Sequence, residues 1–489
     1  MQLPLFSLLT DVNVQAQHGR PDVPVAGLTL DSRQAGPGML FCALRGTATD
    51  GHQFIGKAVD LGAAVVLCEK LPAELSPAVT YVQVADSSAA LGPVASAFYG
   101  HPSRQLKLVG VTGTNGKTTC ATLLHKLLRE LGYHCGLLST VQNQIDEEVI
   151  PSTHTTPDAI RLNELLARMV AAGCTHACME VSSHAVAQHR IGGLRFAGGV
   201  FTNLTHDHLD YHGTFSAYRD AKKGFFDALP RTAFALTNAD DRNGAVMLQN
   251  TAARRETYSL RSAATFRARL VDNSLAGLEL ELDGQEVHFR LIGVFNAYNL
   301  LAVYGAAVLL GEDATEVLTI LSGLTTAPGR FEPVTVPGQG ILGLVDYAHT
   351  PDALENVLQT LLQTRRPGQR IITVVGCGGN RDAAKRPIMA RLAAQFSDEV
   401  ILTADNPRDE DPLEILRHMQ AGLTPPADAR TQTIADRRQA IKAAVTLARP
   451  GDLVLLAGKG HETYQEIRGV KTHFDDREEL RNALLSITN

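Results

Sequence analysis

Short apolar runs separated by turn residues mark the first hundred residues of the chain. The runs at 28–30, 39–43, 63–67 and 81–84 are rich in the branched and aromatic side chains that strands favour. Gly36-Pro37-Gly38 is typical of a tight turn between two of them. This pattern predicts a small α/β domain over residues 1–103.

A strand followed by a glycine-rich turn and a helix opens the central part of the chain. Apolar residues at 108–111 lead into the turn, and leucines then recur at helical spacing on one face. These leucines are Leu124, Leu127, Leu128 and Leu131. The order strand, turn, helix predicts the first unit of a sheet covered by helices.

Further apolar runs alternate with helical segments downstream, which is typical of a mainly parallel sheet. They occupy 176–180, 199–203 and 234–238. Residues 278–282 instead alternate apolar and acidic side chains, as an antiparallel strand does. We predict a central domain over 104–330, ending near Ala327-Pro328-Gly329-Arg330.

Four apolar strands beyond this boundary each run into a polar or glycine-rich loop. They are predicted at 342–345, 371–375, 400–403 and 453–456. Ligands of open α/β sheets bind at the carboxyl ends of strands, so these four loops predict a second binding site. Residues 331–489 are expected to form a Rossmann-like α/β domain.

The length, charge and composition of the chain limit the class of protein but do not indicate an activity. A length of 489 residues fits about three domains. A net charge of −6 gives no electrostatic reason to expect a nucleic-acid partner. The seven cysteines are scattered, and no apolar run reaches membrane-spanning length. We expect a cytoplasmic protein without a membrane partner.

The segment Gly113-Thr114-Asn115-Gly116-Lys117-Thr118-Thr119 carries the clearest chemistry in the chain. Glycines let backbone N–H groups close around phosphate oxygens, and the helix N-terminus adds partial positive charge. Lys117 can reach the outer phosphates, and the Thr118 hydroxyl can hold Mg²⁺. Val111 stands where the general P-loop pattern has glycine, so the loop is a variant. It predicts ATP binding, against the alternative of an ordinary strand-to-helix turn.

Glu180 and His208 follow two of the predicted central strands. If both strands neighbour the phosphate-loop strand, the two side chains converge on a Mg²⁺ ion, for which carboxylate oxygen is the usual ligand. His208 alone is more simply interpreted as a loop histidine. His206, His208 and His212 lack the regular spacing of a zinc site. Lys222 would by default be a solvated surface charge.

A second segment gives only weak evidence for a metal site. Cys174-Thr-His176-Ala-Cys178 could hold a metal ion, but alternate residues of a buried strand explain the spacing better by core packing.

Several motifs together resemble those of the Mur ligases, the ATP-dependent enzymes that add amino acids to bacterial cell-wall precursors. The motifs are Gly113-Thr-Asn-Gly-Lys-Thr118, Glu180-Val-Ser-Ser183-His184, Asp207-His208-Leu-Asp210-Tyr-His and Asp405-Asn-Pro-Arg408. They occur in the family's order and span all three predicted domains. Within the family the chain is similar to members that join 2,6-diaminopimelate to UDP-N-acetylmuramoyl-L-alanyl-D-glutamate.

The resemblance implies a UDP-binding first domain. Leu30 and Ser32 match its motif, and Thr47-Ala48-Thr49 stands where relatives often carry His-Gln. Other positions match those that bind the muramoyl-dipeptide. They are Thr155, Thr156, Ser182, Gln188 and Arg190.

The resemblance also assigns the nucleotide and metal site. Glu180 and His208 match magnesium ligands, and Lys222 matches a lysine that the family carbamylates. A carbamate is an anion that offers oxygen ligands, whereas an ammonium group would repel Mg²⁺. The remaining nucleotide contacts would be Asn296, Asn299, Arg330, Asp346, Tyr347 and His349.

The third domain would bind the incoming amino acid. Arg408 can grip the remote carboxylate of diaminopimelate in a planar two-pronged contact. Glu462, Asp405 or the Gly458 carbonyl would take the remote ammonium group, with Arg381, Asn406 and Pro407 completing the pocket.

These matches imply an acyl-phosphate mechanism in which ATP activates a carboxylate that an amine then attacks. We expect a monomer that works on ATP, meso-diaminopimelate and the UDP-muramoyl-dipeptide. Three alternatives remain at the level of sequence. They are a Mur ligase that adds L-lysine, a folylpolyglutamate synthase, and a protein that uses ATP only as a conformational switch.

Overall fold

A computed structural model describes residues 2–46, 49–152, 154–425 and 427–486 of the chain. The first part is a five-stranded sheet with helices on it, in the strand order β2-β7-β6-β5-β4. Its elements are β1 (Leu3–Pro4), α1 (Leu5–Leu8), β2 (Val14–His18), β3 (Pro24–Val25), β4 (Gly27–Thr29), β5 (Met39–Cys42), α2 (Ile55–Asp60), β6 (Val65–Cys68), β7 (Thr80–Val84) and α3 (Ser87–Phe98). Strands β4 to β7 are parallel, whereas β2 pairs antiparallel with β7.

The central part is built on an eleven-stranded sheet. Its first half contains β8 (Lys107–Thr112), α4 (Lys117–Glu130), β9 (Cys135–Leu138), β10 (Gln142–Ile145), β11 (Glu148–Pro151), α5 (Ala159–Ala171), β12 (His176–Glu180), α6 (Ser183–Ala187) and β13 (Gly198–Phe201). Its second half contains α7 (Leu209–His212), α8 (Phe215–Asp227), β14 (Phe234–Asn238), α9 (Gly244–Met247), β15 (Arg254–Ser259), β16 (Phe266–Ser274), β17 (Gly277–Leu282), β18 (Gln285–Phe289), α10 (Val294–Leu310) and α11 (Ala314–Gly323).

The order of the central strands decides where the site lies. It is β11-β10-β9-β12-β8-β13-β14-β15-β16-β17-β18, and the strands from β9 to β16 are parallel neighbours. Strand β8 therefore lies between β12 and β13, as the convergence of Glu180 and His208 requires. The antiparallel pairs lie at the two ends, including the hairpin predicted at 278–282.

The last part holds a six-stranded sheet in the order β19-β20-β24-β21-β22-β23. Its elements are β19 (Glu332–Val334), β20 (Leu342–Asp346), α12 (Pro351–Thr364), β21 (Ile371–Cys377), α13 (Lys385–Phe396), β22 (Glu399–Ala404), α14 (Pro412–Gln420), β23 (Thr431–Thr433), α15 (Arg437–Leu447), β24 (Leu453–Ala457), β25 (Tyr464–Ile467), β26 (Val470–His473) and α16 (Asp476–Ser486). The four predicted strands lie side by side and parallel, so their loops meet at one edge. Strands β25 and β26 form a separate hairpin.

The first and central sheets are joined by a close glycine contact. Gly92 on α3 faces Gly192 so tightly that a Cβ atom on Gly92 would lie 2.3 Å from the Gly192 carbonyl oxygen. Gly193 in the same turn approaches Pro93, and its φ of +73° is in the region that favours glycine. The two backbones can pack this closely only because position 92 has no side chain.

The segment Cys174-Thr-His176-Ala-Cys178, considered above as a metal motif, belongs to the hydrophobic core. His176 packs on the Tyr133 ring with centroids 4.3 Å apart, and Cys174 and Cys178 are buried free thiols. No helix among the described residues combines the length and the apolar character needed to cross a bilayer.

Candidate active site

The phosphate-binding loop bends through two glycines with positive φ, +153° at Gly113 and +87° at Gly116. A Cβ atom on Gly113 would lie 1.8 Å from the Thr202 hydroxyl oxygen, so only glycine fits. The loop is fixed to the end of β13, because the backbone N–H groups of Thr114 and Asn115 donate to Asn203. Its shape is therefore set before any ligand arrives.

Two lysines point at one carbonyl of this loop. Lys117 donates from Nζ to the Gly113 oxygen at 3.0 Å and to the Thr114 oxygen at 2.8 Å. Lys222, from α8, donates to the same Gly113 oxygen at 2.8 Å. Lys222 is only 1% exposed, so the default expectation of a solvated surface lysine is wrong. Burial lowers the pKa of Lys222 well below its usual value, and the neighbouring Lys117 lowers it further.

Glu180 ends β12 beside this loop and is buried. Its Oε1 accepts a 2.7 Å hydrogen bond from the Thr140 backbone N–H. Its Oε2 is buried and has no hydrogen-bond partner among the described residues. An orphaned carboxylate oxygen in a buried site is costly unless a ligand completes it, and Mg²⁺ prefers this ligand type. The Thr118 hydroxyl accepts from Arg330 at 3.0 Å.

His208 lies half-exposed at the start of α7, with a left-handed φ of +53°. The Tyr218 ring connects it to Lys222, because the His208 ring lies 6.1 Å away and the Lys222 ammonium 4.7 Å away. Glu180, Thr118 and Lys222 thus lie beside one loop, with His208 next to Tyr218. The Glu180 carboxylate and the Thr118 hydroxyl are oxygen ligands of the kind that Mg²⁺ prefers, whereas the unmodified Lys222 ammonium group is not a ligand. Within the described part of the chain, no three histidine, cysteine or acidic side chains cluster as a metal site would need.

The residues assigned to the muramoyl-dipeptide form one network beside Glu180. Thr156 donates from its hydroxyl to the Glu180 carbonyl at 2.9 Å and lies 3.4 Å from the Ser182 hydroxyl. Arg190 donates to the Thr156 carbonyl and to the Gln188 side chain. Thr155 accepts a 3.0 Å hydrogen bond from the Thr140 hydroxyl. The sheet therefore brings the five predicted residues to the same edge as the phosphate loop.

The first domain presents its predicted residues on the loop that follows β4. Leu30 packs on the domain core, and Ser32 is buried at the start of a 3₁₀ turn capped by Asp31. Thr47 and Ala48 lie outside the described residues.

Asn296 and Asn299 lie on α10 beneath the phosphate loop. Asn299 donates to the Asn296 side chain at 3.0 Å, and its own oxygen accepts from the Cys120 thiol at 3.5 Å. A Cβ atom on Gly116 would lie 2.5 Å from that Asn299 oxygen. In this structure the two amides contact each other and the loop.

The other residues predicted to contact the nucleotide lie near the start of the last sheet. Arg330 lies 4.6 Å over the Tyr347 ring, and the Asp346 carboxylate accepts from the Phe331 backbone N–H at 2.6 Å. Burial raises the pKa of Asp346 to about 6, although the nearby Arg330 charge opposes this. The His349 ring contacts the Tyr347 carbonyl, and burial lowers the pKa of His349 to about 4, with Lys385 adding to the effect.

The predicted amino-acid pocket contains a lysine that the sequence analysis missed. Lys459 is fully buried and donates from Nζ to Asn406 Oδ1 at 3.2 Å, Glu462 Oε2 at 3.2 Å and the Tyr464 carbonyl at 2.6 Å. The Asp405 carboxylate lies 3.7 Å away. Gly458 leaves room for this cluster, since a Cβ atom there would lie 2.7 Å from Asp405 Oδ2.

Arg408, three residues after Asp405, has a strained backbone with φ of +52°. Its Nη1 donates to the Gly379 carbonyl at 2.8 Å, and its Nε lies 3.9 Å from the Glu466 carboxylate. Pro407 is buried beside it, and Arg381 is exposed on the facing loop. Outlying backbone conformations persist where the surroundings fix them and cluster at binding sites.

One contact joins the phosphate loop to the last part of the chain. Asn115 of the phosphate loop donates from its amide to Asp352 at the start of α12, at 2.6 Å. The Thr205 hydroxyl donates to the same carboxylate oxygen at 3.0 Å. The phosphate loop of the central sheet and helix α12 of the last sheet are thus linked directly.

Comparison with known proteins gives matches over the whole chain. Residues 24–99 match the Mur ligase family catalytic domain, 111–307 the Mur ligase middle domain, and 329–460 the Mur ligase glutamate ligase domain. The chain is 57% identical, over 97% of its length and 98% of the relative's, to the UDP-N-acetylmuramoyl-L-alanyl-D-glutamate–2,6-diaminopimelate ligase of Cytophaga hutchinsonii. The Bacteroides fragilis enzyme of the same name is 54% identical over 99% of this chain and 100% of its own. A solved structure of a ligase with this name matches all of both chains with a TM-score of 0.70 and 35% identity.

Proposed function

Because the chain belongs to the Mur ligase family, we propose that it joins meso-2,6-diaminopimelate to UDP-N-acetylmuramoyl-L-alanyl-D-glutamate in peptidoglycan precursor synthesis. It is an ATP-dependent amide ligase that forms ADP and phosphate. One observation carries the choice of reaction: the Asn115–Asp352 hydrogen bond joins the phosphate-binding loop to the sheet whose loops hold the charged cluster of Lys459, Asp405 and Glu462. An ATPase switch would not need the second pocket.

The first step is carboxylate activation. The γ-carboxylate oxygen of the D-glutamyl residue attacks the γ-phosphorus of ATP, and the bond to the leaving ADP oxygen breaks. Lys117, at the Gly113 and Thr114 carbonyls, is placed to stabilise negative charge on the transferring phosphoryl group. Thr155, Thr156 and Arg190 are proposed to hold the dipeptide so that its carboxylate faces the loop.

Mg²⁺ is proposed to bind at Thr118, Glu180, His208 and a carbamate on Lys222. When bound it would neutralise phosphate charge. The orphaned Glu180 Oε2 supports the site. The carbamate would form when the Lys222 nitrogen adds to the carbon of CO₂ and releases one proton. Because Lys222 is buried at the Gly113 carbonyl, the new oxygens would lie within the site.

The second step is amide formation. The amine of diaminopimelate attacks the acyl-phosphate carbonyl, the nitrogen loses a proton, and phosphate leaves as the tetrahedral intermediate collapses. Arg408 is proposed to bind the remote carboxylate, with Arg381 and Pro407 bordering it, and Glu462 the remote ammonium group. Closure of the third domain on the phosphate loop would exclude water, which otherwise hydrolyses the acyl phosphate.

The nucleotide is proposed to lie between the loop and the third domain. Asn296, Asn299, Arg330, Asp346 and His349 would border it. Leu30 and Ser32 are proposed to contact the uridine end. We propose domain boundaries at 103 and 330, and a monomer in the cytoplasm that needs neither a membrane nor a nucleic acid.

Phosphate release tests the proposal directly. The protein is incubated with ATP, Mg²⁺ and UDP-N-acetylmuramoyl-L-alanyl-D-glutamate, and each candidate amino acid is added in turn. We expect rapid release with meso-diaminopimelate and release lower by orders of magnitude with L-lysine, because lysine leaves Arg408 unpaired. Equal turnover with L-lysine would remove the specificity, and turnover with folate and glutamate would favour the folylpolyglutamate synthase alternative.

A further inference from the structure

Lys459 lies at the centre of the amino-acid pocket but makes no contact with solvent. It is 0% exposed, and its ammonium group contacts three oxygen acceptors from three segments. These are Asn406 after β22, Glu462 after β24, and Tyr464 at the start of the β25–β26 hairpin. A buried ammonium group persists only when its hydrogen bonds and its charge are both satisfied, and here they are.

The cation separates two carboxylates that would otherwise repel each other. Lys459 Nζ lies 3.7 Å from Asp405 Oδ1 and 3.2 Å from Glu462 Oε2. Without it, two buried carboxylates would share one site, and one of them would take up a proton. With it, the three groups sum to a single negative charge, which matches one ammonium group of a ligand.

The same contacts use only one oxygen of Glu462. Both Lys459 and the Asn406 amide, at 2.8 Å, donate to Oε2. Among the described residues, no hydrogen bond reaches Glu462 Oε1. The carboxylate is therefore held by one oxygen, while the other can accept a new donor.

We propose that Lys459 is a positioning residue for the diamino-acid substrate: it fixes Glu462 by Oε2, keeps it ionised beside Asp405, and so presents Oε1 to the substrate's remote ammonium group. This role rests on the proposed function and extends it to a residue that contacts the substrate only through Glu462. Arg408, whose Nη1 lies at the Gly379 carbonyl, is then proposed to bind the remote carboxylate. The pocket thus recognises both charges of a zwitterionic end group.

The proposal predicts that binding of the diamino acid depends on pH through the ionisation of Glu462. Burial and Asp405 raise the pKa of Glu462, and Lys459 lowers it. The other charged or titratable groups that interact with this cluster are Arg437 of α15, Tyr347 after β20, Cys377 at the end of β21, His461 beside Glu462 and Tyr464 of the hairpin. Removing the Lys459 charge raises the pKa of Glu462 further, so the substrate's ammonium group should lose its partner as the pH falls.

Two neutral variants test the role. Lys459→Met removes the charge and the hydrogen bonds, and Lys459→Gln removes the charge but keeps an amide donor. We expect each to raise KM for meso-diaminopimelate about 10- to 100-fold, as loss of a charge-assisted contact does. KM for ATP should change less than about twofold, and KM for the amino acid should rise as the pH falls from 8.5 to 6. The exposed Lys442→Met on α15 is the matched control.

A double variant shows whether Lys459 acts through Glu462. Lys459→Gln combined with Glu462→Gln should be no worse than Glu462→Gln alone, because the two share one contact. Additive effects, equal increases in the two KM values, or an unchanged KM for diaminopimelate would overturn the proposal. Failure of the proposed function looks different, since the wild-type enzyme would then release no phosphate in response to diaminopimelate.

Discussion

The Asn115 amide and the Asp352 carboxylate, 237 residues apart in sequence, meet at 2.6 Å and form a hydrogen bond between the phosphate loop and the third domain. Burial raises the pKa of Asp352. The carboxylate accepts hydrogen bonds from Asn115, Thr205 and Asn356. This hydrogen bond can form only while the third domain lies against the phosphate loop. Its presence therefore marks the closed arrangement of the two.

Removing this contact should slow the reaction more than it weakens the fold. Asp352→Ala deletes the acceptor for Asn115 and Thr205, and we expect kcat to fall about tenfold, as the loss of one to two hydrogen bonds predicts. Phosphate release at saturating substrates measures it. Glu355→Gln, one turn along the same helix, is the control and should leave kcat within about twofold. An unchanged kcat in Asp352→Ala would show that closure does not depend on this pair.

Lys117→Met should remove catalysis while leaving the loop in place. The loop is held by Asn203, independently of the lysine. We expect kcat to fall by at least about 100-fold, the usual cost of losing a group that stabilises transition-state charge. Phosphate release measures the rate, and circular dichroism checks the fold. Activity within about tenfold of wild type would remove Lys117 from the mechanism.

Arg408→Ala should reduce the preference of the enzyme for meso-diaminopimelate over L-lysine. Arginine and alanine both carry a Cβ atom, so the cost of the left-handed backbone is retained and the change reports on the guanidinium group. We expect the preference for meso-diaminopimelate over L-lysine, measured as the ratio of kcat/KM values, to fall by about 10²-fold or more. Arg381→Ala, from the exposed neighbouring loop, is the comparison. A preserved ratio in Arg408→Ala would assign carboxylate recognition elsewhere.

Asp346 should make the third domain less stable as the pH rises. Its pKa is raised to about 6 in the folded protein, above the value near 4 of an unfolded chain. The stabilisation from its protonated form is thus complete below pH 4 and is lost as the pH rises through 6. A shift of about two pKa units corresponds to about 3 kcal/mol.

The Asp346→Asn variant should abolish that slope, because the amide cannot ionise. Urea unfolding at pH 4.5 and pH 8 measures it, with Glu414→Gln at a half-exposed position of α14 as control. We expect the variant to gain stability relative to wild type at pH 8 and not at pH 4.5. The same difference at both pH values would contradict the assignment.

Arg437 and Asp476 form an ion pair in which both side chains are 0% exposed, with contacts of 2.8 and 2.6 Å. Arg437→Met leaves the Asp476 carboxylate buried without a partner, which should cost about 3–5 kcal/mol of unfolding free energy. The neighbouring surface pair offers a matched control. Arg438→Met breaks the contact to Glu479 and should cost at most about 1 kcal/mol. Equal losses in the two variants would show that burial does not set the cost.

The sequence predicted the strands that carry a clear apolar pattern of their own. The strands at 176–180 and 234–238 have the predicted bounds, and the other runs differ by a few residues at their ends, where hydrogen bonding to the neighbouring strand decides. Short polar strands such as β10 and β23 carry no apolar pattern and were missed. The phosphate loop could be predicted because its shape depends on local glycines.

Contacts between distant residues could not be predicted in this way. A lysine between two glycines, as at Lys459, has the same local sequence whether it is buried or solvated. Asp352 is an ordinary acidic residue in a first helical turn until α12 is placed against Asn115. Lys222 was interpreted from the residues alone as a surface charge, because only the packing of α8 on the phosphate loop buries it.

The contact between Gly92 and Gly192 has a consequence for substrate length. Since the two backbones touch, the first and central sheets cannot come closer together at this contact. A precursor anchored by its nucleotide end must then span a set distance to bring its terminal carboxylate to Lys117. A chain one amino acid shorter or longer would place that carboxylate away from the phosphate. With one end of the substrate held by the first domain, as proposed, we expect a side chain at position 92 to change the range of precursor lengths that the enzyme accepts.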